Sequence, residues 1–422
     1  MKKSLLGTAV ILSLVAISCN KSDSLLVQRQ KNLADNDYKF SSMMDTRVQN
    51  FQTKLPDYLV TMGLGQSNID NEKASVGRVI FYDKNLSKDG EISCASCHIQ
   101  NKAFADGWDF SPGVDGHVTS RNSMALTNVA SFASHYTEIE GRTPALLWDG
   151  RADDIFGQAP LAFTNPHEMG LTLTELHKKA KIQSYYSYFM ERIYGDSDVS
   201  QERFLECLQE FVRAMGGASS KLDRALDKVN GDLFGQYAET VPVYALRDSI
   251  VDYYYGTITI TVKDSVGIDT LLRPLLNFSE SELRGRTLFA QNCTKCHSPI
   301  RPLQKEFFAC NGLETNYSDP GLGGVTGLQS DMGVFKSPSL RNIAVTAPYM
   351  HDGRFRDLGE VLDFYSTGIQ AHPNLHPLLL DEEGNPRRMN FSFQDKIDLI
   401  AFLRTMTSYD ILHDARFSNP FY

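Results

Sequence analysis

A mainly α chain of two units packed together, with a small β-hairpin-containing insertion, is the fold class this sequence predicts. Three observations predict it. The stretches Glu202 to Met215, Glu280 to Gln291, Leu358 to Tyr365 and Gln394 to Met406 carry apolar residues at i, i+3, i+4 spacing, as amphipathic helices do. Two short runs of one pattern, Cys94-Ala-Ser-Cys97-His98 and Cys293-Thr-Lys-Cys296-His297, fall in opposite halves of the chain. Between them, Tyr253-Tyr254-Tyr255-Gly256-Thr257-Ile258-Thr259-Ile260-Thr261-Val262 is β-branched and aromatic with partial alternation, and reads as the first arm of a hairpin.

Taken in order, the elements begin with a targeting segment. Met1-Lys2-Lys3 is a short basic start, and the apolar run from Leu5 to Ile17 has the length of a signal peptide, too short to span a membrane as a helix. It ends Ala16-Ile17-Ser18-Cys19-Asn20, which resembles a bacterial lipoprotein cleavage box, so that 1–18 reads as a lipoprotein-type signal peptide with Cys19 as the lipidated first residue; the alternative is an ordinary secretory signal with a chance cysteine. Either sends the chain to the periplasm, and the first ties it to a membrane only through its lipid. A polar tether and lead-in over 19–57 follow, then a first unit over 58–227, the insertion over 228–278, and a second unit over 279–422. The insertion carries no cluster of ligand-type residues.

The two Cys runs hold the chemistry. C-x-x-C-H is the spacing at which two thiols add to the vinyl groups of one haem while the adjacent histidine reaches the iron. With seven Cys and ten His in 422 residues, chance supplies about 0.003 such runs. A zinc site would group four ligands in one small unit, and a thiol redox pair has no need of the histidine. Two covalent haems are therefore expected, one on Cys94, Cys97 and His98, the other on Cys293, Cys296 and His297. Cytochrome c-like domains are built this way because a haem replaces much of the core. Cys207 and Cys310 remain, either paired or as buried thiols. A net charge of −9 argues against nucleic-acid binding and against attraction to a membrane surface, and favours a basic protein partner.

The chain resembles the bacterial di-haem cytochrome c peroxidase family, which includes MauG-like enzymes. The resemblance spans about 58–406 apart from the insertion. It rests on Gly77-Arg78-Val79-Ile80-Phe81-Tyr82-Asp83, Ile92-Ser93 before the first motif, Arg121-Asn122-Ser123-Met124, Leu126-Thr127-Asn128, Leu147-Trp148-Asp149-Gly150-Arg151-Ala152, Asn165-Pro166-His167-Glu168-Met169-Gly170, Ser337-Pro338-Ser339-Leu340-Arg341-Asn342, Thr346-Ala347-Pro348-Tyr349-Met350-His351-Asp352-Gly353 and Leu358-Gly359-Glu360-Val361. The surroundings of the two Cys motifs share little sequence with each other.

The resemblance implies that the haem on His98 meets hydrogen peroxide and the haem on His297 receives electrons from a small cytochrome c or cupredoxin. Glu168 matches the catalytic acid–base group of the family, Gln158 its helper, and Trp148 the residue between the haems; Trp108 has no match and is read as packing. It further implies one calcium ion held by Asn122, Thr346 and Pro348, and a homodimer is compatible with it. Two positions depart from the commonest pattern. Val114 stands where many members carry a histidine that caps the first haem at rest, with His117 nearby as a substitute. Tyr365 stands where many carry the methionine ligand of the second haem, as MauG-like members do; Met332, Met350, His372 and His376 are the alternatives. Three readings of function follow: peroxide reduction, MauG-like oxidation of residues in a partner protein, and electron carriage without catalysis. Glu168 with Gln158 argues against the last, since a carrier needs no acid–base group.

Overall fold

The computed structural model describes residues 25–61, 68–128, 146–228, 277–297 and 308–422. The expected signal peptide with Cys19 and nearly all of the 228–278 insertion, with its hairpin, lie outside the described residues. The rest is mainly helical. Helix α1 (Asn71–Tyr82) starts at Asp70, whose carboxylate accepts from the N–H groups of Glu72 and Lys73. Helix α2 (Ile155–Thr164) starts at Asp154 and α3 (Gln201–Ala214) at Ser200. In the second half, α4 (Glu280–Asn292) and α6 (Phe393–Arg404) both open with a capping box, Ser279 with Glu282 and Ser392 with Asp395. Between them α5 (Leu358–Asp363) starts at Asp357 and runs into a π-helical turn over Phe364–Gly368. The helix expected to reach Tyr365 is thus α-helical only to Asp363, and Tyr365 sits in the widened turn, a feature common at functional sites. The only sheet among the described residues has two strands, β1 (Phe308–Ala309) and β2 (Phe335–Lys336), antiparallel with Phe308 opposite Lys336.

Each half is built on one helix pair crossing at a glycine. In the first, Gly77 of α1 lies so close to α3 that a Cβ there would collide with the Cys207 carbonyl; in the second, Gly285 of α4 meets the Asp398 carbonyl of α6 in the same way. Both glycines are followed by Arg, and the fourth residue after each is a phenylalanine with at most 2 % exposure, Phe81 and Phe289.

The cores are not divided where the sequence suggests. Leu55, Tyr58 and Leu59 from the lead-in, with Leu222, Ala225 and Leu226 after α3, pack into the second core beside Phe289 and Phe402. In return Ile411, Leu412 and Phe417 from the C-terminus enter the first, beside Phe81 and Phe211. The junction is fastened by Arg341, whose guanidinium donates to both carboxylate oxygens of Asp223 at 3.0 and 2.7 Å and to the Tyr58 hydroxyl at 2.9 Å, all three buried. The stretch expected as a polar tether contains a helix over 25–40 and docks on the first unit: Phe40, Met44 and Phe51 are buried, Arg29 pairs with Glu191, and Met44 bridges Phe421. Cys207 and Cys310 are separate, buried, free thiols. Trp108, expected as packing, is 58 % exposed. Among the described residues no helix is long and apolar enough to cross a membrane.

Candidate redox site

Among the described residues the two halves line a shared cavity of about 710 Å³. Cys97 and His98 line it from one side, and Cys293, Cys296 and His297 from the other; Trp148, Gln158, Glu168, Tyr365, Asn122, Thr346 and Pro348 line it too. The structure therefore brings together nearly every residue singled out in the sequence, with Cys94 on the adjoining core wall.

The local geometry suits two haem-binding histidines. His98 Nδ1 lies 2.7 Å from the Phe104 carbonyl oxygen and His297 Nδ1 lies 3.0 Å from that of Pro338. A carbonyl only accepts, so each Nδ1 carries the proton and each Nε2 presents a lone pair. Burial lowers both imidazole pKa values and so favours this neutral form. A serine stands beside each ring. Ser123 Oγ donates to the Cys97 carbonyl at 2.7 Å and lies 3.3 Å from His98 Nδ1; Ser337 Oγ does the same for Cys296 and His297, at 3.0 and 3.2 Å.

These serines expose an internal repeat that the flanking sequence conceals. Ser123-x-x-Leu126-x-Asn128 matches Ser337-x-x-Leu340-x-Asn342. Asn128 N–H bonds the Met215 carbonyl just beyond α3, and Asn342 N–H that of Met406 just beyond α6. A second pair is longer. Residues 146–157 and 349–360 share Asp-Gly-Arg-x-x-Asp and the same hydrogen bonds: Leu146 N to Ala152 O and Tyr349 N to Phe355 O, Gly150 N to Leu147 O and Gly353 N to Met350 O, Gly157 N to Asp154 Oδ1 and Glu360 N to Asp357 Oδ1. Even the positive φ angles recur, at Leu147 and Met350 and at Gly150 and Gly353. In this repeat Trp148 corresponds to His351, a cavity residue to which the sequence reading gave no role. Trp148 Nε1 donates to the Asn122 carbonyl at 2.9 Å, fixing the indole on the wall between the halves. His351 stacks on Phe335, ring centroids 4.0 Å apart.

Glu168 sits in the turn after α2. Its N–H donates to the Asn165 carbonyl, and Asn165 Nδ2 donates to its Oε1 at 2.7 Å. Burial raises its pKa above the ordinary carboxylate range, while Asn165 and the nearby charge of Arg151 pull it partly back. Burial likewise pushes the Tyr365 phenol up to about 12, opposed by a hydrogen bond with Asn311.

Val114 is fully buried and outside the cavity lining, and His117 is exposed, its ring packed on that of His167 with centroids 4.8 Å apart. His117 is thus on the surface and does not line the cavity. The histidines of the lining are His98, His297 and His351. Of the alternatives to Tyr365, Met350 lines the cavity and Met332, His372 and His376 do not.

The family model described as di-haem cytochrome c peroxidase matches residues 71–231. The methylamine utilization protein MauG of Methylophilus methylotrophus is 27 % identical over 341 residues, covering 79 % of this chain and 82 % of that protein. The cytochrome c551 peroxidase of Nitrosomonas europaea is 26 % identical over 341 residues, covering 80 % of each. Among solved structures, a MauG-like protein associated with microbial copper homeostasis superposes with a TM-score of 0.58 at 26 % identity, over 84 % of this chain and 94 % of that one. Over residues 71–231 the chain matches the di-haem cytochrome c peroxidase family, and with relatives named as peroxidases and as MauG it is an oxidoreductase. Two c-type haems follow from that match and from its two C-x-x-C-H motifs.

Proposed function

We propose that this protein reduces hydrogen peroxide to water with electrons from a small cytochrome or copper protein, H₂O₂ + 2 H⁺ + 2 e⁻ → 2 H₂O. The observation that carries the reading is Glu168, a half-buried carboxylate in the same cavity as His98, with Gln158 beside it in the lining. Bound haem supplies the iron centre for the peroxide and the redox equivalents. The polypeptide supplies the rest. His98 and His297 present Nε2 with Nδ1 held by a carbonyl. Glu168, ionised above its raised pKa, accepts the proton from the peroxide oxygen that stays and returns it to the one that leaves. Gln158 offers an amide donor to the oxygen held there. Asn165 keeps the carboxylate aimed, and Trp148 fills the wall between the two halves.

The negative charge of the chain favours a basic donor protein. Asn122, Thr346 and Pro348 all line the cavity and offer an amide oxygen and backbone carbonyls, donors suited to calcium. The sequence before residue 25 supports export to the periplasm with a lipid at Cys19. A MauG-like oxidation of a partner protein is the second reading, favoured by Tyr365 on the wall beside Cys296 and His297. Stopped-flow turnover of peroxide with a reduced small cytochrome tests the first reading. Saturable oxidation of the donor, two per peroxide, is expected. Haem-loaded protein that consumes no donor would contradict it.

A further inference from the structure

The internal repeat continues past its shared hydrogen bonds into the helices that follow. Asp154 caps α2 and Asp357 caps α5, and from these caps the same three helix positions face the cavity in both copies. They are Ile155, Gln158 and Ala162 in the first, and Leu358, Val361 and Tyr365 in the second. Spacings of three and four residues place the first trio on one face of α2; in the second copy Leu358 and Val361 share a face of α5, and Tyr365 joins them at the cavity from the π-helical turn. The first pair is alike in chemistry; the other two are opposite. Where the second copy sets an apolar Val361 and a phenol, the first sets an amide and a methyl group.

We propose that Ala162 is the residue that keeps the His98 haem open to a small ligand. It stands at the position of Tyr365, and its methyl leaves free the space that the Tyr365 ring fills in the other copy. The two haem pockets are diverged copies of one design, and with Val114 unable to supply a cap, the residue at this repeat position decides which of them takes an exogenous molecule. The space left by a methyl beside Gln158 and Glu168 suits a polar molecule of two or three heavy atoms, such as a peroxide or azide. This deepens the proposed function and rests on its placing of peroxide at the His98 haem.

Azide titration of the fully oxidised, haem-loaded protein, followed by optical and EPR spectra, tests the inference without turnover. The wild-type protein should bind one azide per chain. Ala162→Leu fills the space without offering a ligand. It should retain two haems and weaken azide binding by about tenfold or more, the scale on which a pocket senses added methylenes. Ala162→Gly should bind as wild type does. Tyr365→Ala empties the other copy and should raise the capacity to two azides per chain, which keeps the inference testable should the leucine variant fold poorly. Unchanged azide affinity in Ala162→Leu, or a single azide in Tyr365→Ala, would overturn it. Peroxide turnover is scored separately: absence of turnover in a wild-type protein that passes the azide tests would sink the peroxidase reading and leave the role of Ala162 standing.

Discussion

The backbone N–H of Asn122 donates to the carbonyl of His351 at 2.7 Å, so the strand of chain leading from the first haem motif is tied to the second half of the molecule. Its mirror image is present: Lys336 N–H donates to the Trp148 carbonyl at 2.8 Å. Asn122 and Lys336 each precede the serine beside a haem histidine, and Trp148 and His351 are mates in the repeat. The two halves thus clasp each other reciprocally, and the clasp holds both Cys-x-x-Cys-His motifs on one cavity.

Replacing Glu168 with Gln keeps the size of the side chain and removes the base. Both haems should load, and peroxide turnover should fall by about two to four orders of magnitude, the usual worth of a positioned proton-transfer group. Wild-type rates in this variant would reduce Glu168 to a structural role.

The pH profile should carry the same signature. Burial raises the Glu168 pKa, so the active carboxylate is present above that value and is lost as the pH falls through it. The acid limb of kcat/KM for peroxide should therefore lie above the ordinary carboxylate range. Asn165→Leu removes the 2.7 Å donor to Glu168 Oε1 and should move that limb to higher pH. A limb that stays in place would assign the titration to another group.

Cys94→Ala and Cys293→Ala should each disrupt attachment of one haem, whereas Cys207→Ala, at a free thiol in the first core, should disrupt none. Intact mass and haem staining read this directly. A wild-type mass with other than two covalent haems would contradict the assignment.

Asp223→Ala leaves the Arg341 guanidinium buried without its carboxylate. Burial alone would raise the Asp223 pKa, but Arg341 and the Tyr58 and Ser220 hydroxyls hold it below the usual value. Removing one partner of such a buried pair costs about 3–5 kcal/mol. Urea denaturation of the holoprotein should show a loss of that order; an unchanged midpoint would mean the junction does not depend on the pair.

The haem motifs are legible in the sequence because covalent attachment requires its residues to be contiguous. Helices α3, α4 and α6 are legible because each buries one face and so repeats with the helical period. The exchange of segments between cores is not: the apolar residues Leu55, Tyr58 and Phe417 announce burial but do not name a partner. The π-helical turn at Tyr365 is invisible because it changes hydrogen bonding without changing composition. The internal repeat hides behind differing side chains at Trp148 and His351 and at Ala162 and Tyr365. Its signals are the short Asp-Gly-Arg-x-x-Asp and Ser-x-x-Leu-x-Asn patterns. Asn165 and the carbonyls of Phe104 and Pro338 act through geometry alone, and no spacing marks them.

A His98 haem that is open and ready for peroxide at rest should show itself in low-temperature EPR of the fully oxidised protein. Peroxide is then mixed with the same sample, without reductant. Val114 is buried and cannot ligate iron, and His117 lies at the surface against His167. A high-spin ferric signal for one haem and a prompt spectral change on adding peroxide are expected. A wholly low-spin spectrum, with no reaction until the other haem is reduced, would contradict it.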